Sequence, residues 1–419
     1  MSSVRSSSAE TAMTVLSPEP IDRLHGLDAL RGFALLLGVV LHAAMAYTPM
    51  PMWVVADGQT SPVAGAMFFG IHLFRMTAFF LIAGLFAHMM IGRRGVGGFL
   101  RNRLIRIAGP LAAFWAPTLA AIIAVLIWVA VINNGGTMPE GPPPPPLTVQ
   151  TFPLTHLWFL WVLLILYAAL LLLRAPFAVL DRNGGWGRGV DRLTGALIGF
   201  WTPVVLAAPL AVALYLTPNW ISFFGIPTPD HGLVPNPAAL TAFGVAFGFG
   251  ALIDRRRDLL NGVRNLWAPF TVMALGAGTA AFMLSGGETP SMVPLADPQI
   301  KAGMAALYAF AVYASALAAM ALALRFASGV SGVRRYLADA SYWIYIVHLP
   351  LVMAGQVLML GLDWPWFAKL AAVIAGVTVV SVFTYELLIR HSFMGRWLNG
   401  RRVPWRRPAA PVAPSAPAE

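Results

Sequence analysis

The 419-residue chain contains no cysteine, which excludes disulfides, thiol nucleophiles and thiolate metal sites and leaves the redox compartment open. Charge is scarce too: 11% of residues are Asp, Glu, Lys or Arg, where a soluble globular domain carries about a quarter. A soluble enzyme is therefore excluded. Walker and dinucleotide-binding glycine motifs, an inverted repeat and an appended soluble domain are missing as well. No two histidines have a ligand spacing such as His-x-x-x-His on one helix, which argues against a metal site. Proton and ion carriers usually place paired carboxylates at mid-depth, and only Glu386, near one segment end, is a candidate.

What is present is apolar. At 58% hydrophobic residues and a mean hydropathy of +0.72, the chain is read as an all-α polytopic membrane protein. The net charge of +11 does not indicate a nucleic-acid partner, because the arginines fall in short clusters between apolar runs. Segments able to span a bilayer, or nearly so, lie at about 29–47, 64–90, 109–132, 156–174, 199–217, 239–253, 267–285, 303–325, 341–361 and 366–389. Linkers after the even-numbered segments carry arginine clusters such as Arg93 to Arg106 and Arg255 to Arg257, whereas the alternate linkers carry Asp57, Glu140, Asp230, Glu288 and Asp363. This alternation predicts a bundle of about ten transmembrane helices with both termini cytoplasmic. Trp53, Trp158, Trp220, Trp364 and Trp366 sit near segment ends, as an interfacial belt requires.

One transmembrane domain over 21–400 is expected, flanked by disordered cytoplasmic tails at 1–20 and 401–419. Ala44-Met45-Ala46 has the form of a signal-peptide cleavage site, but the polar stretch before the first apolar run is too long for an ordinary leader, so that helix is expected to stay. Pro142 to Pro146 reads as a stiff polyproline spacer.

Polar side chains inside these segments are the candidate site. Arg31 and His42 stand eleven residues apart, about three helical turns, and so share one face roughly 16 Å apart. Taken singly, Arg31 reads as an interfacial anchor paired with Asp28, and His42 as either a helix-packing histidine or a functional group. His72 and Arg75 share a face of the second segment. Arg75 is too far from the segment end to snorkel, so it needs a carboxylate, a carbonyl cluster or an anionic ligand. His88 reads as a surface residue. His156 and Trp158 open the fourth segment, where His156 is either interfacial or in contact with a substrate. Ser341, Tyr345 and His348 form a polar stripe on the ninth segment, and in the tenth Glu386 and Arg390 read, taken by themselves, as no more than an i, i+4 pair.

Leu27-Asp28-Ala29-Leu30-Arg31-Gly32, followed by ten residues to His42, resembles the first-helix Arg-x10-His signature of the acyltransferase family 3 membrane proteins. Further stretches resemble one branch, the OpgC/MdoC proteins that succinylate osmoregulated periplasmic glucans. They are His72-Leu-Phe-Arg75-Met with Phe79-Phe80, Arg103-Leu-Ile-Arg106-Ile-Ala-Gly109-Pro110, His156-Leu-Trp158-Phe-Leu, Ser341-Tyr-Trp-Ile-Tyr345-Ile-Val-His348-Leu-Pro350 and Tyr385-Glu386. The resemblance covers roughly 22–400, with little match over about 195–300.

The resemblance implies a bacterial inner-membrane enzyme that moves an acyl group, succinyl in that branch, from cytoplasmic acyl-CoA to hydroxyls of a periplasmic glycan. Acyl-CoA is then a co-substrate; no cofactor is bound permanently and no metal is required. Arg31, Arg103 and Arg106 are expected to hold the CoA phosphates. His42 is expected to be the general base or an acyl-carrying nucleophile, and Arg75 to stabilise the oxyanion or clamp a distal carboxylate. Asp28, His72, Tyr345, His348 and Glu386 are expected to line or support the channel, and His156 and Trp158 the acceptor side. Partners are the lipid bilayer, the two substrates and, as a homodimer, a second copy of the chain. Acetyl transfer to another envelope glycan stays open, as does, in a different class, a transporter of small solutes or ions.

Overall fold

The computed structural model describes residues 24–400 other than 51, 139–145, 182 and 330. The expected tails and most of the polyproline run lie outside the described residues. The helices are α1 (His25–Ala44), α2 (Pro62–Arg103), α3 (Gly109–Asn133), α4 (Trp158–Leu180), α5 (Gly185–Leu197), α6 (Thr202–Leu216), α7 (Pro237–Arg255), α8 (Leu259–Asn265), α9 (Trp267–Leu284), α10 (Pro298–Phe326), α11 (Gly332–Met359), α12 (Trp366–Thr384) and α13 (Phe393–Asn399). Each expected apolar segment coincides with one of them. Among the described residues the only sheet-like pairing is an isolated bridge, Pro153 to His231.

Among the described residues, eight helical units are long and apolar enough to cross a membrane, or nine if α5 and α6, bent by 103° at their junction, act as one. This differs from the ten segments expected for two physical reasons. α6 has 15 residues, short of a full span, and α2 runs into α3 as one helical stretch of 72 residues. That stretch measures roughly 108 Å along its axis, far more than the ~30 Å apolar core of a bilayer. It is broken at Gly95, whose φ of +68° no helix holds, and again through a π-helical turn at Leu104–Ala108.

Local chemistry sets the helix starts. Ser61, Asn236, Asp297 and Ser331 each accept a backbone N–H of the first turn, and Pro follows the first three, where its missing N–H costs nothing. Small residues set the crossings. A Cβ on Gly84 would strike the Phe247 carbonyl and one on Gly250 the Leu81 carbonyl, so α2 and α7 touch backbone to backbone. α10 is buried along Met304–Ala323 because its alanines let neighbours close on all sides. α1 packs against α2, α10, α11 and α12 and so lies inside the bundle rather than at its edge.

Candidate active site

Two cavities lie along the face of α1 that the sequence marks. One, of about 380 Å³, is lined by Asp28, Arg31, Arg93, Arg94, Arg103 and Arg106 together with Tyr167, Asp339, Ser341 and Tyr342. The other, of about 710 Å³, is lined by His42, His72, Arg75, His156, Trp158, Tyr345 and His348, with Trp53, Asp230 and His231. Leu35, Phe79 and Phe159 line both. The ring centroids of Phe79 and Phe159 are 4.5 Å apart, edge to face, so these two rings and Leu35 form a thin apolar septum. α1, α2, α4 and α11 each contribute to both cavities, and each carries its polar stripe past the septum.

In the arginine cavity, Arg31 pairs with Asp28 at 3.3 Å and faces the Phe86 ring. Arg103 donates to the Tyr167 hydroxyl at 3.2 Å and stacks on Phe99 and Tyr167. Arg106 belongs to the π-helical turn, whose wider winding sends its carbonyl to the Tyr342 hydroxyl at 2.8 Å. Three residues expected to hold phosphates thus meet in one place, alongside Arg93 and Arg94.

In the histidine cavity, the His42 ring is 5.3 Å from His348, and His348 is 5.1 Å from His156. Hydrogen bonds to carbonyls, which only accept, fix two of the rings. His348 donates from Nδ1 to the Tyr345 carbonyl at 2.7 Å, and His156 from Nε2 to the Ile346 carbonyl at 3.1 Å. In the neutral rings, His348 Nε2 and His156 Nδ1 then carry the lone pairs, and neither has a protein partner. Tyr345 donates its hydroxyl to the His156 carbonyl at 2.7 Å and ties α11 to the start of α4. His72 stacks on Phe68 with centroids 5.4 Å apart.

Arg75 reaches this group because α1 has no side chain at Gly38. A Cβ there would collide with Arg75 Nη1 and stand 3.4 Å from His348 Nε2. Arg75 Nε is enclosed without a protein partner, and among the described residues no acidic side chain pairs with the guanidinium. Of the partners expected for Arg75, a carboxylate has no counterpart among the described residues.

Two expectations are corrected. Glu386, expected to support the channel, lines neither cavity; its carboxylate meets Arg390 at 2.7 Å, Tyr336 at 3.1 Å and His391 at 3.3 Å. The i, i+4 pair takes it, within the π-helical turn Tyr385–Arg390 that follows α12. His88 is partly buried rather than superficial, with Nδ1 2.8 Å from the buried Asp254 carboxylate, which Arg257 also holds.

Sequence reading missed the septum and the residues that frame His42. Phe79 and Phe159 belong to stretches that carry the resemblance, but they sit in apolar runs where nothing marks them as a partition. Gln356 was detectable, since an amide in the apolar half of α11 must spend its hydrogen bonds on something.

A family profile described as "Acyltransferase domain" matches residues 24–386, most of the chain. Over 152 residues the chain is 30% identical to proteins named "Glucans biosynthesis protein C" from Salmonella paratyphi B, Salmonella heidelberg and Salmonella enteritidis. That stretch is 36% of this chain and 39% of each relative, so the chain matches about two fifths of the length of these curated relatives. No solved structure matches. The chain belongs to acyltransferase family 3, whose profile covers most of it.

Proposed function

We propose that the protein transfers an acyl group, succinyl by preference, from cytoplasmic acyl-CoA to a hydroxyl of a periplasmic glycan, most simply a glucan. In this reading ten spans place both termini in the cytoplasm of a bacterial inner membrane, and the arginine cavity opens to that side. The observation that carries it is the pair of cavities that share four helices, one cationic and one rich in imidazole, with an apolar septum between them. The name of the partial relatives supports a glucan acceptor.

Arg31, Arg103 and Arg106 neutralise the CoA phosphates, and the pantetheine arm carries the thioester through the septum to His42 and Arg75. The acceptor hydroxyl enters from the other end, between Trp158 and His156. His42 takes the hydroxyl proton as the oxygen attacks the thioester carbonyl. Arg75 holds the negative charge that develops on the carbonyl oxygen. Collapse breaks the C–S bond, and the departing CoA thiolate recovers the proton from His42. A nucleophilic route divides the same bond changes into two steps, with the acyl group resting on a His42 nitrogen. For a succinyl donor, Arg75 is also, among the described residues that line the cavity, the one arginine, able to meet a distal carboxylate in bidentate fashion.

The test is CoA release by purified protein given succinyl-CoA or acetyl-CoA, each with and without extracted periplasmic glucan. Glucan-dependent release from succinyl-CoA is expected. A preference for acetyl-CoA or another envelope glycan would reassign the substrates, and solute flux in proteoliposomes without any acyl transfer would replace the reading with transport.

A further inference from the structure

Gln356 is 1% exposed on α11 and spends its whole amide on two elements that flank His42. Its Nε2 donates to the carbonyls of His42 at 2.9 Å and Ala43 at 3.2 Å. Its Oε1 accepts from Trp53 Nε1 at 2.9 Å. The orientation of the amide follows from its partners, because carbonyls only accept and an indole N–H only donates. The Trp53 ring then stands 5.8 Å from the ring of His42.

These bonds matter because of where they lie. The last carbonyls of a helix have no partner within it, and apolar surroundings offer no water in exchange. Gln356 supplies that partner from a neighbouring helix at the residue that bears the imidazole. The segment between α1 and α2 is pinned farther along by Lys369, which donates to the buried Asp57 carboxylate at 2.8 Å, and by the backbone bonds of Asp57 to Ala46 and Ser61 to Tyr47. None of those holds the indole. Trp53 lines the histidine cavity and has no part in the arginine cavity, so whatever moves it acts on the acceptor side.

We propose that Gln356 is a positioning residue of the transfer reaction: by joining the end of α1 to Trp53 it holds the indole against His42 and sets where the acceptor hydroxyl meets the imidazole. This rests on the function proposed above. Gln356→Leu removes all three hydrogen bonds, Gln356→Glu keeps the acceptor for the indole and loses both donors, and Trp53→Phe keeps a ring but loses the N–H.

The experiment has two arms on the full-length protein in detergent. The first measures succinyl transfer to glucan. Gln356→Leu is expected to lower turnover about tenfold and raise the glucan KM, with the succinyl-CoA KM changed less than about twofold. The Gln356→Leu, Trp53→Phe double variant is expected to lose no more than the worse single variant, because both act through one contact. The second arm records the fluorine resonance of 5-fluorotryptophan at position 53, assigned by its loss in Trp53→Phe, and needs no activity. It is expected to shift in Gln356→Leu and less in Gln356→Glu. An unmoved resonance with an unchanged glucan KM overturns the proposal, as does an equal rise in both KM values, which would mean general loosening. Wild-type protein without turnover on any acyl-CoA defeats the functional reading alone; the resonance still decides whether Gln356 holds Trp53.

Discussion

The arginine cavity and the histidine cavity share four lining helices, yet they hold most of their polar atoms differently. In the first, cations rest largely on local support: Arg31 on Asp28, and Arg103 on Tyr167 and on the faces of two aromatic rings, although Arg103 Nε is itself enclosed without a protein partner. In the second, His42 Nδ1, His156 Nδ1, His348 Nε2 and Arg75 Nε are enclosed with no protein partner. Buried polar groups normally find partners, so several orphans on residues that line one space set that space apart from ordinary core. A cavity of supported cations suits binding through charge, and one of unsatisfied nitrogens suits proton transfer and charge development.

The largest effect is expected from His42→Ala. If chemistry belongs to the histidine cavity alone, this variant loses at least about a thousandfold in acyl transfer, as removal of a general base or nucleophile does, while expression, oligomeric state and CoA binding persist. Normal activity of the purified variant would dissolve the distinction. Arg75→Lys comes next, with a loss of roughly 100-fold in kcat/KM, because an ammonium cannot reproduce a planar fork that fits between Gly38 and His348. A mild effect would make Arg75 a structural charge.

The septum tests whether the two cavities communicate. Phe159→Trp adds bulk where the Phe79 ring already stands at 4.5 Å, and transfer is expected to fall about tenfold while CoA binding, read by calorimetry, is kept. Unchanged turnover would mean that the acyl group takes another route. In the arginine cavity, Arg106→Gln is expected to raise the acyl-CoA KM about tenfold with kcat nearly constant and with weaker salt dependence than the wild type. A fall in kcat instead would assign that cavity a share of the chemistry. The smallest effect is expected at Glu386, whose part-exposed pair with Arg390 contributes under about 1 kcal/mol; Glu386→Gln should leave transfer intact, as a CoA-release assay would show.

The chain by itself determined that this is a helical membrane protein, because scarce charge and long apolar runs leave no other way to satisfy the backbone. It also determined which side chains to suspect: an ionisable group in an apolar helix is costly, so Arg31, His42, Arg75 and His348 stand out without any fold. Helical periodicity placed Arg31 and His42 on one face, and both line cavities on that face. Only the tertiary structure decided that the stripe is divided, since Leu35, Phe79 and Phe159 come from three helices and look like ordinary core residues in each. It alone decided that Glu386 spends its carboxylate on the local pair with Arg390 rather than on the channel, and it set Gln356 against the end of α1. The reason is common to all three: helix periodicity acts within about four residues, whereas these contacts join positions tens to hundreds of residues apart, or choose between local partners by how whole helices pack.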